Sequence, residues 1–477
     1  MAESRVASPA PSDVPVTARS PAVFQGEAPD ELYEVFAVAA EKARDLFRGR
    51  VIWSVNSTAQ GGGVAEMLRP LLGYVRGAGL DARWVVIGGT PEFFAVTKRL
   101  HNRLHGQPGD GGPLGDAEHE VYRATLEANA DELMPRIHER DIVVLHDPQP
   151  AGLVPAVRKT GARVVWRSHI GVDTPNEQTR DAWEFLEPYV RDADAYVFTR
   201  DAYVWDNLDR GRVFIIPPSI DVFSPKNYAL EPDDVELILS AAGIVTDHTG
   251  RAPCFTRSDG TPGRVDRRVR LVGDLIPRRA PVVLQVSRWD RLKDPVGVMD
   301  GFVEHVADRH PDVHLALLGP DVQGVTDDPE GAEVLREVTS RREQLGPAVR
   351  ERVHLVSAPM EDAELNAVIV NAAQRHAAVV VQKSLAEGFG LTVSEAMWKS
   401  RPVVASRVGG IQDQIEDRVS GRLVPARDLR AFGETIDGLL ADRDVAARMG
   451  AAASERVRQQ YLGPRHLLQY FELLSSF

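Results

Sequence analysis

The chain has 477 residues, 26% of them charged, a formal net charge of -13 and one cysteine. The length calls for roughly two to four domains rather than one core. The acidic balance argues against a general electrostatic grip on nucleic acid or anionic lipid, and the lone Cys254 excludes an internal disulfide.

No apolar run reaches the about 18 residues that a membrane span needs. Met1 to Asp30 is rich in Ala, Pro, Ser and Val without a continuous apolar block, so residues 1–30 read as a disordered tail of a cytoplasmic protein. The expected partners are small molecules, with neither nucleic acid nor membrane involved.

From residue 51 short β-rich runs alternate with helical stretches, the pattern of parallel sheets with crossover helices. Strands are expected at 51–55, 82–88, 141–146, 163–167, 195–199 and 212–216. The first strand runs into Asn56-Ser-Thr-Ala-Gln-Gly61-Gly62-Gly63 and then a helix with apolar residues at 64, 67, 68, 71, 72 and 75. Consecutive glycines before a helix start either make a flexible connection or let the backbone approach a phosphate or sugar hydroxyl. The spacing matches neither a P-loop nor the dinucleotide fingerprint.

His101 and His105 lie one turn apart on a helix without a third ligand, and read as a polar face. His146, in Leu145-His-Asp-Pro-Gln-Pro150, and His169, in Trp166-Arg-Ser-His-Ile170, close strands at their carboxyl ends. Either can hydrogen-bond a sugar hydroxyl or serve packing. Asp192 and Asp194 precede a strand, and Asp442 and Asp444 open a helix, so neither pair is placed as a metal site.

Pro217-Pro-Ser-Ile-Asp221 reads as a link, after which strands are expected at 282–287, 313–318, 352–356, 377–382 and 402–405. Two such series give an α/β chain of two doubly wound, Rossmann-like domains, 31–225 and 226–460. The final helix, 461–477, is expected to return to the first. Residues 246–279 interrupt the rhythm as a turn-rich excursion. Because it precedes strand 282–287, it is expected at the amino end of that strand, away from ligand, in a structural or subunit-contact role.

In Gln285-Val-Ser-Arg288-Trp-Asp-Arg-Leu-Lys293-Asp294-Pro295 a strand ends near Ser287, and Asp294-Pro295 makes an N-cap and first helical position. Lys293 then sits where its charge opposes the helix dipole, which invites a functional explanation. Glu387-Gly-Phe-Gly-Leu-Thr-Val-Ser-Glu395 places two carboxylates where strand Ala377 to Val381 turns into a helix from Leu391 to Lys399. Ligands of open α/β sheets bind at that end, and Gly388 and Gly390 before a helix start favour an anionic group such as a sugar phosphate.

With these residues in view, the chain resembles the retaining glycosyltransferases of family 4, which have the GT-B fold with the active site in the cleft between two Rossmann-like domains. A narrower likeness is to the trehalose glycosyltransferring synthase group, related to trehalose phosphorylases. It is carried by Val55-Asn-Ser-Thr, Gly61-Gly-Gly-Val-Ala-Glu-Met-Leu68, Arg83-Trp-Val-Val-Ile-Gly88, Glu92-Phe-Phe-Ala-Val-Thr-Lys98, His146-Asp-Pro-Gln-Pro150, Pro217-Pro-Ser-Ile-Asp221 and Glu395-Ala-Met-Trp-Lys399. It spans about residues 30 to 477; the 246–279 excursion and Lys383 depart from the pattern.

The resemblance implies transfer of glucose from a nucleoside diphosphate glucose, UDP-glucose or ADP-glucose, to free glucose, giving trehalose reversibly, with no cofactor and no metal. A trehalose phosphorylase and a transferase with another acceptor are the alternatives. His169, Arg288, Lys293 and Glu387 are the implied catalytic residues. Gly62, Gly63, Arg288, Lys293, Glu387, Gly388, Phe389, Gly390, Leu391 and Glu395 would hold the donor, Glu395 at the ribose. Asn56, His146 and Asp147 would face the acceptor. The assembly is open between a monomer and a homodimer.

Overall fold

Buried aliphatic runs, such as Val143-Val-Leu145 and Val379-Val-Val381, form the centres of two sheets covered by helices on both faces. They belong to a computed structural model that describes residues 10–59, 62–246, 253–322 and 329–477. Contacts divide the chain into one unit of Met1–Ser219 with Tyr461–Phe477, and a second of Ile220–Gln460.

The first unit holds a 7-stranded sheet. Its strands are β1 (Ser12–Val14), β2 (Val51–Asn56), β3 (Asp81–Val86), β4 (Ile142–His146), β5 (Arg163–Ser168), β6 (Ala195–Phe198) and β7 (Val213–Ile215), in the order β1-β3-β2-β4-β5-β6-β7. All pairings are parallel except β1 with β3. The order reverses between β2 and β4. The loops that follow these two strands therefore flank the switch point, where open α/β sheets take ligands.

The second unit repeats the plan. A hairpin, β8 (Cys254–Thr256) with β9 (Pro262–Arg264), precedes β10 (Arg270–Val272), β11 (Val282–Val286), β12 (His314–Pro320), β13 (Val353–Ala358), β14 (Val379–Gln382), β15 (Val403–Ser406) and β16 (Arg422–Val424). The 7-stranded sheet runs β10-β13-β12-β11-β14-β15-β16, antiparallel only between β10 and β13. Here the reversal falls between β11 and β14. No helix of the described residues is long and apolar enough to cross a membrane.

Two expectations are corrected. Residues 1–9 lie outside the described residues, but 10–30 are not a disordered tail. β1 pairs Ser12 with Val86 and Val14 with Trp84, and Phe24 is fully buried with its ring 4.7 Å from that of Tyr74. A sparse set of apolar anchors, Val16 and Phe24, holds a segment whose composition resembles a linker.

The second correction concerns the excursion, of which 247–252 lies outside the described residues. Because β10 runs antiparallel to β13, the segment before it arrives at the carboxyl edge of the sheet, not the amino edge. Arg270 accordingly pairs with Asp321, just past β12, at 2.6 Å, and Arg257 with Asp362, just past β13. A cleft of about 240 Å³ opens there, lined by Arg267, Arg268, Arg270, Asp321, Ser357 and Glu361.

Candidate active site

In the first unit, β2 ends at Asn56, whose side chain shapes the loop that follows. Its Oδ1 accepts from Trp84 Nε1 at 2.8 Å and its amide donates to the Thr58 carbonyl at 2.7 Å. Gly61 lies outside the described residues. Gly62, at φ +81° with open space where a Cβ would stand, is the N-cap of helix Gly63–Gly77. That conformation suits glycine and leaves the helix amino terminus approachable.

Across the switch point, His146 closes β4 and Asp147 turns the chain at φ +66°. A non-glycine residue there is strained and marks a place held by its surroundings. What holds it is visible: Asp147 Oδ1 accepts from the His169 backbone N–H at 2.7 Å, and its carbonyl accepts from Trp166 Nε1 at 3.1 Å. The loops after β4 and β5 are thereby joined, bringing His146 Nδ1 to 3.1 Å from His169 Nε2 with the rings stacked.

Burial first, and the nearby Arg167 second, lower the His146 imidazole to about 3 and hold His169 well below its ordinary value, so both rings are neutral. Burial raises the Asp147 carboxyl to about 7 against the hydrogen bond from His169. The site thus presents polar groups with little formal charge, a surface suited to sugar hydroxyls.

In the second unit the switch point carries ions. After β11, Asp290 caps a short 3₁₀ turn, Arg291–Lys293, by accepting from Leu292 N at 2.8 Å. Asp294, at φ +46°, is the N-cap of helix Pro295–His305, accepting from Gly297 N at 3.1 Å. After β14 the chain passes Ser384, Glu387 and Gly390, the last at φ +86° as N-cap of helix Leu391–Trp398. The two loops meet where Lys293 Nζ lies 2.6 Å from Glu387 Oε2, which also accepts from Ser384 Oγ at 3.2 Å.

Arg288 turns to Asp290 at 2.9 Å. Phe389 is buried, and the Phe389 and Gly390 carbonyls accept from Gln414 Nε2, which pins the glycine turn against Leu391 at the helix start. Glu395, on that helix and only 2% exposed, pairs with Lys226 at 3.2 Å.

Of the residues singled out from sequence, the structure brings Lys293 and Glu387 into contact, sets Gly388, Phe389, Gly390 and Leu391 beside them, and brings His146, Asp147 and His169 together. Lys226 carries no motif that would have marked it. Lys383, noted only as a departure, proves 1% exposed, bonded to Asp294 and to the Ala426 carbonyl. Arg167 passed unremarked inside a quoted motif. His101 and His105 rest against each other, ring centroids 5.0 Å apart. Asp194 binds Arg158, Arg163 and the Val164 N–H, and Asp442 accepts from Val445 N, so these aspartates serve as strand and helix flanks.

Residues 54–205 match the family model for the trehalose synthase N-terminal domain, and residues 273–456 the model for glycosyl transferases group 1. The chain is 36% identical over 448 residues to trehalose synthase of Thermococcus litoralis, covering 94% of this chain and 95% of that one. It is 28% identical over 441 residues to a trehalose phosphorylase of Pleurotus sajor-caju, covering 85% of this chain and 55% of that one. Among solved structures it is similar to Anabaena HepE in complex with UDP and glucose, with a TM-score of 0.60 and 16% identity over 90% of this chain and 100% of that one. Together with the sheet orders, that likeness identifies the fold as GT-B.

Proposed function

The chain belongs to the trehalose synthase family of glycosyltransferases, and from this premise we propose that it moves glucose from a nucleoside diphosphate glucose to the anomeric hydroxyl of free glucose, reversibly and with retention of configuration. The observation that carries this reading is the Lys293–Glu387 pair at 2.6 Å, beside the glycine-led amino terminus of helix Leu391–Trp398. A cation and a helix start together are a place for a departing diphosphate, and an adjacent carboxylate can hold hydroxyls of the sugar.

In the proposed step the bond between C1 and the diphosphate oxygen breaks while the acceptor oxygen bonds to C1 on the same face. The acceptor proton passes to the leaving phosphate oxygen. No side chain attacks carbon, so the protein's contribution is orientation and stabilisation of the charge that develops on the diphosphate. Lys293 and Arg288 supply that charge; of the Asp-x-Asp pairs, Asp194 is committed to arginines and Asp442 to a helix cap. Glu387 orients the glucosyl hydroxyls, Glu395 takes the ribose, and His169, neutral, donates or accepts one hydrogen bond at the sugar. Asp147 and His146 face the acceptor.

Incubating the protein with trehalose plus either a nucleoside diphosphate or inorganic phosphate tests the reading. Nucleoside diphosphate glucose is the expected product. Glucose 1-phosphate formed only with phosphate would establish a phosphorylase instead. Product formation from another acceptor in preference to glucose would overturn the acceptor assignment.

A further inference from the structure

Arg167 is a fully buried cation in the first unit, and the transfer step above gives it no part. It is the penultimate residue of β5, which ends at Ser168, and His169 is the first residue beyond the strand. Its Nε lies 3.2 Å from His169 Nε2 and 3.4 Å from His169 Nδ1, and its Nη2 donates to the Ile216 carbonyl at 2.8 Å. The guanidinium carbon lies 5.8 Å from the centre of the Tyr470 ring, a cation–π contact. Nη1 is buried without a hydrogen bond of ordinary geometry.

Tyr470 belongs to helix Gly463–Leu474, one turn beyond His466, and the two rings stack at 5.4 Å. His466 Nδ1 lies 2.9 Å from Ser219 Oγ, and Arg465 donates to the Pro217 and Pro218 carbonyls at 2.8 Å. The helix is therefore anchored to the segment that follows β7, and it presents a ring to Arg167.

We infer that Arg167 is a positioning residue: clamped between the Ile216 carbonyl and the Tyr470 ring, it fixes the orientation and tautomer of His169 and makes the C-terminal helix a working wall of the sugar site. A guanidinium has donors only, and of the two His169 nitrogens in its reach Nε2 is the nearer and the one that His146 Nδ1 also meets at 3.1 Å, so Nε2 is the acceptor. Nε2 then carries no proton, which leaves the proton on Nδ1. His146 Nδ1, within reach of the same Nε2, donates to it, which sets the His146 tautomer too. The effect on the reaction rests on the role proposed for His169; the tautomer does not.

The test compares Arg167→Met, Arg167→Lys, Tyr470→Leu and His169→Ala in the full chain. Turnover, KM for each substrate, thermal melting and long-range nitrogen–proton NMR of the histidine rings are measured. The wild type shows His169 protonated on Nδ1. Arg167→Met loses about 100-fold in kcat through misplacement of the ring, with KM for the donor within about twofold, and the Nδ1–H signature is lost. Arg167→Lys keeps the charge without the planar fork and recovers little of the loss. Tyr470→Leu falls about 10-fold in kcat.

Wild-type kcat in Arg167→Met alongside an inactive His169→Ala overturns this inference alone. Full activity in His169→Ala removes the site reading on which it rests. Should the Met variant not fold, wild-type kcat in both Arg167→Lys and Tyr470→Leu overturns the inference. A wild-type His169 protonated on Nε2 does so directly.

Discussion

The two sheets share a plan and differ in what they place at the switch point. In the first unit the loops after β4 and β5 bring together His146, Asp147 and His169, rings kept neutral by burial and a carboxyl whose ionisation is opposed. In the second, the loops after β11 and β14 carry Lys293 with Glu387 and Lys383 with Asp294, and the helix that follows carries Glu395 with Lys226. Desolvated neutral donors and acceptors suit hydroxyl groups, while fixed ions suit a diphosphate whose charge grows as it leaves. On the proposed function one topology serves an uncharged sugar and an anion, and the residues on its loops divide the work.

The sharpest way to break this contrast is to remove the cation. Lys293→Ala is expected to lower kcat by about 100- to 1000-fold in steady-state assays, since it removes the cation proposed to offset the charge that grows on the leaving group. Near-normal turnover would mean that the second unit's ions are not the diphosphate site. Next in size, Lys383→Met strips Asp294 of its buried partner. It should cost about 3 kcal/mol in urea denaturation.

Glu395→Gln keeps the shape of the side chain and removes its charge. Donor KM should rise about 10-fold with kcat held, while any reaction driven by inorganic phosphate stays unchanged. A fall in kcat with unchanged KM would move Glu395 away from the ribose.

The smallest effect sharpens the other half of the comparison. Above an ordinary histidine value of 6.5 both folded and unfolded forms of His146 are neutral. Below it the unfolded chain takes up a proton that the folded chain, with His146 near 3, does not. Stability is therefore lost as pH falls from about 6.5 towards 3, and hydrogen exchange should show the first unit opening first.

Asp147, raised to about 7, works in the opposite sense, because between its unfolded value of 3.8 and 7 the folded state holds the extra proton. Asp147→Asn tolerates the left-handed backbone and keeps the acceptor for the His169 N–H. It should steepen the acid loss. An unchanged slope would mean that Asp147 is ionised in the native state.

Much of this was legible in the sequence where the signal is local. Val- and Ile-rich runs marked the parallel strands, Asp294-Pro295 marked a helix start, and Lys293, placed against the dipole, marked itself by its awkwardness; Glu387 is the reason it is tolerated. What escaped was set by distant contacts. Nothing near Lys226 announces Glu395, and nothing near Arg167 announces Tyr470, three hundred residues away in the chain. β1 was hidden by a linker-like composition. The excursion was misplaced because direction in a sheet is a property of pairing, and β10 pairs antiparallel where its neighbours do not.

The first unit is closed by Tyr461–Phe477, after the whole of Ile220–Gln460 has been threaded out and back. The second unit's stretch is therefore translated in full while the earlier-made half still lacks the turn bearing His466 and Tyr470. Removal of Gly463–Leu474 would take His466 and Tyr470 from the first unit and no residue from the second.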